Sequence, residues 1–182
     1  GQVWRAERPQ KGRFREFTQC DVDIVGAKSI SAELEILQAV SAALSALGIS
    51  DFELRLNDRR LLEALAKNSG FEGAERANEF AILLDKKDKL KPEDLLNEMT
   101  TAAGGKLSTD VQKILDGKFS ISDAKAIAQE PVQGLEKLIS DLKSLKVNFA
   151  AITFDPSLAR GLGYYTGPIF ELRHSSAGYS LG

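Results

Sequence analysis

The sequence has little of several residue types that carry chemistry on their own. Among its 182 residues there is one cysteine, one histidine, one tryptophan and one methionine. The single cysteine, Cys20, excludes an internal disulfide framework, and its place in an alternating pattern predicts a small core residue. The single histidine, His174, is predicted to be a polar residue at a strand end and not a catalyst. No cluster of metal-ligand residues is visible, so no metal site built from protein side chains is predicted.

The sequence also lacks a large excess of positive or negative charge. It has no long apolar run either. The 24 basic and 26 acidic residues leave a net charge of −2, so any recognition of anions must be local. No segment has transmembrane length, and the start does not show a charged segment followed by an apolar one. A soluble, cytoplasmic protein without membrane contacts is therefore expected. Neither end resembles a polar tail, which suggests a piece of a longer protein.

The first chemically rich stretch covers residues 3–26 and predicts a hairpin. Its arms are residues 3–7 and 14–25, joined by a loop that contains Pro9 and Gly12. Period-two alternation predicts one polar face with Arg13, Arg15, Phe17, Gln19, Asp21 and Asp23, and one core face with Phe14, Thr18, Cys20, Val22 and Ile24. From Arg8 to Arg15 there are four basic residues and no acidic one. The loop is interpreted either as an anion-binding site or as an exposed charged hairpin.

The remaining pattern mixes helices and strands. A helix is predicted from a cap at Ser29 or Ser31 to residue 47, a strand over residues 51–57 and a helix over 58–67. Further helices are predicted over residues 75–90, 92–103, 108–115, 122–129 and 132–146. Strands are predicted over residues 147–154 and 169–173, as pairing partners. The fold class is therefore α+β.

The predicted helices of the middle segment indicate an insertion. The division is residues 1–70 and 131–182 for two parts of one core, with residues 71–130 as a small helical domain. Its lysines, Lys86, Lys87, Lys89 and Lys91, allow an RNA-binding face. The segment has 12 acidic and 9 basic residues, however, which favours an ordinary solvated surface.

The second chemically rich stretch covers residues 154–167. Three glycines follow Arg160 within seven positions, and Tyr164 and Tyr165 stand between them. Glycines let the backbone approach a ligand, an arginine supplies a fixed cation, and tyrosines supply hydroxyl groups on rigid rings. The pattern does not continue as a dinucleotide-binding fingerprint.

Together the two stretches resemble the histidyl-tRNA synthetases, which are class II aminoacyl-tRNA synthetases. The run WRAERPQKGR from Trp4, with Phe17 and Gln19, is similar to motif 2 of that family, and RGLGYYTG from Arg160 is similar to its histidine-recognition signature. The resemblance covers essentially the whole chain but only the middle of such an enzyme. It implies a partial class II antiparallel sheet flanked by helices, with a helical insertion domain. Gly163 departs from the acidic residue that the family usually has there.

The resemblance also implies substrates and site residues. Catalysis is expected of Arg5 and Arg160; ATP binding of Arg5, Glu7, Arg13 and Phe17; and histidine binding of Arg5, Gln19, Asp23, Arg160, Tyr164 and Tyr165. The reaction would use ATP, with Mg²⁺ bridging its phosphates, to join histidine to tRNA(His). The complete enzyme would be a homodimer.

Two alternatives accompany this interpretation. One is a non-catalytic histidine-binding regulatory paralogue in histidine biosynthesis, which would share the fold and the loop around Arg160. The other is that residues 1–182 have very low activity by themselves, because motifs 1 and 3 of a class II synthetase would lie outside them.

Overall fold

The computed structural model describes residues 1–6, 8, 14–27, 29–159, 165–174 and 180. The elements along these residues are β1 (Gln2–Trp4), β2 (Glu16–Thr18), α1 (Ile30–Ala46), β3 (Phe52–Asp58), α2 (Arg59–Asn68), α3 (Ala74–Leu84), α4 (Pro92–Ala102), α5 (Thr109–Leu115), α6 (Ile121–Ile127), α7 (Gln129–Ser144), β4 (Ala151–Phe154) and β5 (Pro168–His174). The predicted α+β class is confirmed. No helix among these residues combines the length and apolar character needed to cross a membrane.

Strand β3 is the centre of a three-stranded mixed sheet with the order β4-β3-β5. It pairs in parallel with β4 and antiparallel with β5. The prediction that β4 and β5 pair with each other is therefore wrong, because β3 lies between them. Phe52, Leu54 and Leu56 of β3 are at most 1% exposed, as the predicted alternation requires. The strand with the most apolar face takes the centre, where its burial is greatest.

Two apolar clusters form the core. In the first, Leu37 of α1 and Leu135, Leu138 and Leu142 of α7 pack on the sheet. In the second, Leu61, Leu62 and Leu65 of α2 pack with the helices of residues 74–127. Helix α2, which the sequence assigned to residues 1–70, thus shares a core with the proposed insertion. This helix connects the central strand to the helical segment.

The helix predicted over residues 75–90 is too long. Helix α3 ends at Leu84, and the following Lys86 and Lys87 amides donate to carbonyl groups three residues earlier, as in tight turns. Residues 85–89 are all charged, so continued helix would bury no further apolar side chain.

Side-chain caps define the starts of two helices. Asp58 Oδ1 accepts a hydrogen bond from the Arg60 amide at 2.9 Å, which begins α2 directly after β3. Ser120 and Asp123 form a reciprocal capping box at the start of α6. Lys113 donates to Asp123 at 2.8 Å, and this bond, followed by those from Ser120, holds the pKa of Asp123 well below its usual range.

The hairpin is shorter and more exposed than predicted. Strands β1 and β2 have three residues each. The prediction of a core face is wrong: Phe14 is 69% exposed, Val22 is 50% exposed, and Cys20 is exposed as well. Neither apolar cluster includes any of the hairpin residues that the structure describes, and two strands alone do not form a core.

Two glycines after helix ends provide a test of the packing between α2 and α4. Both Gly70 and Gly117 have positive φ, at +81° and +69°. A Cβ at Gly70 would lie 3.0 Å from the Ala103 carbonyl oxygen, whereas a Cβ at Gly117 meets nothing within 4 Å. We expect Gly117→Ala to lower the free energy of unfolding by about 1 kcal/mol and Gly70→Ala by about 3 kcal/mol. Urea unfolding followed by circular dichroism measures both; equal losses would contradict the predicted clash.

Candidate functional site

Three of the predicted binding residues lie together on the hairpin. The register pairs Val3 with Phe17, and the Arg5 amide extends the ladder by donating to the Arg15 carbonyl at 2.8 Å. As a result the Arg5 guanidinium carbon lies 4.9 Å from the centroid of the Phe17 ring. Arg5 Nη2 also donates to Gln19 Oε1 at 3.1 Å. A cation, an aromatic face and an amide thus form one surface.

Both the oxygen and the nitrogen of the Gln19 side-chain amide make hydrogen bonds. Its oxygen accepts from Arg5, and its Nε2 donates to Asp21 Oδ1 at 2.5 Å. The hydrogen bonds therefore fix the orientation of the amide. Asp21 places a carboxylate beside this amide, on the exposed side of the hairpin. The amide nitrogen of Gln19 thus lies beside a carboxylate, a group that suits a ligand with an ammonium group, and its oxygen lies beside the Arg5 guanidinium.

The structure does not support the strand argument for Asp23. Strand β2 ends at Thr18, so strict alternation does not extend to residue 23. Asp23 is exposed. Its contribution to a site stays a prediction from the resemblance.

The other predicted residues are divided between two groups. Glu7, Arg13, Arg160 and Tyr164 lie outside the described residues. Tyr165 is described and is 42% exposed. Two residues later the Gly167 carbonyl accepts a hydrogen bond from the Arg59 amide at 2.8 Å, and β5 follows at once. The segment after Tyr165 is therefore hydrogen-bonded to the first residue of α2.

Strand β3 holds the turn that leads to residue 160. Arg55 donates to both Asp155 and Glu171, the latter at 3.3 Å, and all three side chains are at most 18% exposed. Asn57 Nδ2 donates to the carbonyl groups of Leu158 at 2.9 Å and Pro156 at 3.3 Å. The stretch that carries the second motif thus begins from a turn fixed by side chains of the central strand.

Sequence analysis missed Arg55, Asn57, Asp155 and Glu171. A signal was present for Glu171, because it stands between Phe170 and Leu172 in an apolar strand, where a charge requires a partner. Arg55 alternates with Leu54 and Leu56, and period two by itself indicates an outward-facing residue. Its pairing with Asp155 depends on the parallel arrangement of β3 and β4, which periodicity does not reveal.

Comparisons of the sequence show its relatives. The model of the family described as histidyl-tRNA synthetase matches residues 1–182. A histidine–tRNA ligase of Leifsonia xyli is 42% identical, covering 99% of this chain and 44% of the relative. One of Cytophaga hutchinsonii is 38% identical, covering 94% of this chain and 40% of the relative. The chain thus spans less than half the length of the curated relatives it matches.

Solved structures share the fold. A histidyl-tRNA synthetase from a Nostoc species aligns with a TM-score of 0.75 and 25% identity, covering 94% of this chain and 42% of that one. A Bacillus halodurans protein described as an ATP phosphoribosyltransferase regulatory subunit/histidyl-tRNA synthetase aligns with a TM-score of 0.78 and 24% identity. The latter alignment covers 100% of this chain and 48% of that one, and at this identity it shows the fold alone.

Proposed function

The chain belongs to the histidyl-tRNA synthetase family, and on that basis we propose that it forms part of a catalytic region that activates histidine with ATP and transfers it to tRNA(His). One observation on this chain carries the proposal. Arg5 contacts both Phe17 and Gln19 on the hairpin, and they are three of the residues that the resemblance assigns to phosphate, adenine and histidine.

In the first step a carboxylate oxygen of histidine attacks the α-phosphorus of ATP. The new P–O bond forms as the bond to pyrophosphate breaks, giving histidyl-adenylate and pyrophosphate. Negative charge grows on the phosphoryl oxygens, so fixed cations stabilise the transition state. Arg5 serves this charge and the substrate carboxylate, and Arg160 serves it from the opposite side. Magnesium enters with ATP as part of that substrate.

ATP binding replaces the contact between Arg5 and Phe17 by contacts of both side chains with ATP. The Arg5 guanidinium lies over Phe17, and we propose that it turns to the α-phosphate when ATP binds. The Phe17 ring then stacks on adenine, which replaces one cation–π contact by a larger aromatic one. Glu7 contacts the adenine edge, and Arg13 holds the outer phosphates.

Histidine is recognised through polar groups at both ends. Gln19 and Asp23 accept the α-ammonium group, and the carboxylate of Asp21 beside Gln19 adds to the same negative region. Tyr165, with Tyr164, hydrogen-bonds the imidazole. An analogue without ring nitrogens would leave these groups unpaired, so discrimination against it is large.

In the second step the terminal ribose hydroxyl of tRNA(His) attacks the carbonyl carbon of the adenylate. The ester bond forms as the bond between the carbonyl carbon and the phosphate oxygen breaks. AMP leaves with that electron pair, and one of its phosphate oxygens takes the hydroxyl proton. We propose that the complete protein works as a cytoplasmic homodimer. We also propose that residues 71–130 form an inserted domain between core segments 1–70 and 131–182.

The alternative function is histidine sensing without catalysis. The Bacillus halodurans protein, whose description includes a regulatory subunit, and an ATP phosphoribosyl transferase complex of Thermotoga maritima (TM-score 0.64, 19% identity) share the fold with this chain. Both identities are below 25%, so they bear on the fold alone. The retention of Arg5 and Phe17 on the hairpin supports ATP binding instead.

Histidine-dependent exchange of pyrophosphate with ATP tests the proposal. We expect the natural full-length protein to catalyse exchange with histidine and not with the other amino acids. Residues 1–182 alone are expected to exchange very slowly, since the relatives are more than twice as long. Histidine binding by calorimetry without any exchange would identify the sensor instead.

A further inference from the structure

One guanidinium contacts both the residue that follows β4 and a residue within β5. Arg55, in the middle of β3, donates to Asp155 Oδ2 and, at 3.3 Å, to Glu171 Oε2. Asp155 directly follows β4, and Glu171 lies opposite Arg55 in the antiparallel register of β5. The connection over residues 155–167, which includes the second motif, therefore leaves the sheet at one carboxylate bound by Arg55 and leads into the strand that carries the other.

Hydrogen bonds fix the backbone of the turn that follows β4, over residues 155–158. Asp155 Oδ1 accepts from the Ser157 amide at 2.9 Å and from the Ser157 hydroxyl at 2.6 Å. The Leu158 amide donates to the Asp155 carbonyl at 3.1 Å, and the Leu158 carbonyl accepts from Asn57 at 2.9 Å. Ala159 is 2% exposed. The backbone is thus positioned up to the residue that precedes Arg160.

Charge balance makes Arg55 the essential member of this cluster. The side chains of Asp155 and Glu171 are 8% and 6% exposed, so each requires a partner. Lys87 donates to Ser157 at 3.5 Å and lines a small cavity with Arg55, Asp85 and Asp88, which adds one cation and two carboxylates at its rim. Without Arg55, both buried carboxylates would lose the cation that they share, which would weaken the contact between the turn after β4 and strand β5.

We propose that Arg55 is a positioning residue for the segment that contains Arg160, Tyr164 and Tyr165, acting through Asp155, where the chain leaves β4, and through Glu171 in β5, the strand that follows the segment. Its part in catalysis rests on the proposed function, but its effect on the loop does not. The fork of a guanidinium is required, because a lysine ammonium cannot serve both carboxylates in the same geometry.

Amide hydrogen exchange in the Arg55→Gln variant tests the structural half of this inference. We expect amides in peptides that include residues 155–159 and 165–171 to exchange at least about tenfold faster, while a peptide from α7 is unchanged. Arg55→Lys should give an intermediate effect. Arg55→Gln combined with Glu171→Gln should recover part of the protection, because one of the two buried charges that share Arg55 is removed.

Lys113→Gln is the matched control. Lys113 is also a cation shared by two carboxylates, Asp110 and Asp123, but it lies on the helical segment and is 44% exposed. Its replacement should leave exchange at residues 155–159 and 165–171 unchanged. Unchanged exchange in Arg55→Gln would overturn the inference, and so would faster exchange throughout the chain. If Arg55→Gln does not fold, Arg55→Lys is judged by the same criteria.

Kinetics of pyrophosphate exchange in the full-length protein test the functional half. Because the loop supplies Arg160 and the tyrosines, Arg55→Gln should lower kcat/KM for histidine by about 100-fold. The KM for ATP should stay within about twofold, since the hairpin holds ATP. A purely structural role would reduce the folded fraction and leave both KM values alone, which overturns positioning. If the wild-type protein shows no exchange, the proposed function fails, and hydrogen exchange still decides the role of Arg55.

Discussion

Replacing Arg5 with alanine is expected to lower the rate of histidine-dependent pyrophosphate exchange by about 1,000-fold, which corresponds to about 4 kcal/mol of lost transition-state stabilisation. Arg5 is exposed, and among the described residues its side chain contacts Phe17 and Gln19 of the hairpin. Its loss should therefore leave the thermal midpoint of unfolding unchanged. Stopped-flow or radiolabel exchange assays at saturating ATP measure the rate.

Arg76→Ala is the control for this prediction. Arg76 also stacks on a phenylalanine, with its guanidinium carbon 4.7 Å from the Phe71 ring centroid, but it belongs to the helical segment. Arg76→Ala should change the rate of pyrophosphate exchange by less than about twofold. Arg5→Lys should recover about tenfold of the lost rate, because the charge returns without the fork. Equal losses in Arg5→Ala and Arg76→Ala would contradict the role given to Arg5.

Arg160→Ala is expected to depress the adenylation rate by about 1,000-fold while changing histidine affinity by less than about fivefold. The reason is that the α-phosphate gains charge only as the reaction proceeds, so a cation placed there acts chiefly on the transition state. Single-turnover formation of the adenylate gives the rate, and calorimetry with histidine gives the affinity.

Tyr165→Phe serves as the opposite case. Removing one hydroxyl that pairs with imidazole should weaken histidine binding by about tenfold and affect the chemical step less. The two variants should therefore separate rate from affinity. Equal losses of rate and affinity in Arg160→Ala would mean that this arginine holds the ground-state substrate.

The candidate site was predicted from the sequence where its residues lie close in the chain. Arg5, Phe17 and Gln19 belong to one hairpin, and antiparallel pairing across a short connection places them together whatever the rest of the chain does. The same local logic identified β3 and the start of α2, where alternation gives way to a helical period at Asp58. Element type depends on neighbours in sequence, so it can be read there.

Predictions failed where burial depends on distant segments. Cys20 fits an alternating pattern as a core residue, yet it is exposed because no element of the described residues packs on that face. Asp23 was placed on the face of a strand that ends at Thr18. Helix α3 stops at Leu84 because the charged residues after it offer nothing to bury. In each case the local pattern identified which residues are polar and which are apolar. It did not show whether another segment packs against them.

The sequence by itself determined the α+β class, the bounds of most helices, the family, and the hairpin residues that carry the proposed function, because all of these depend on local patterns and short motifs. Only the tertiary structure decided that β3 lies between β4 and β5 and that Arg55 pairs with Asp155 and Glu171, 100 and 116 residues later. Pairing over such separations is selected by the burial and charge balance of the whole fold. A pattern in a short stretch of sequence cannot reveal such a pair, because the two residues of the pair never lie in the same stretch.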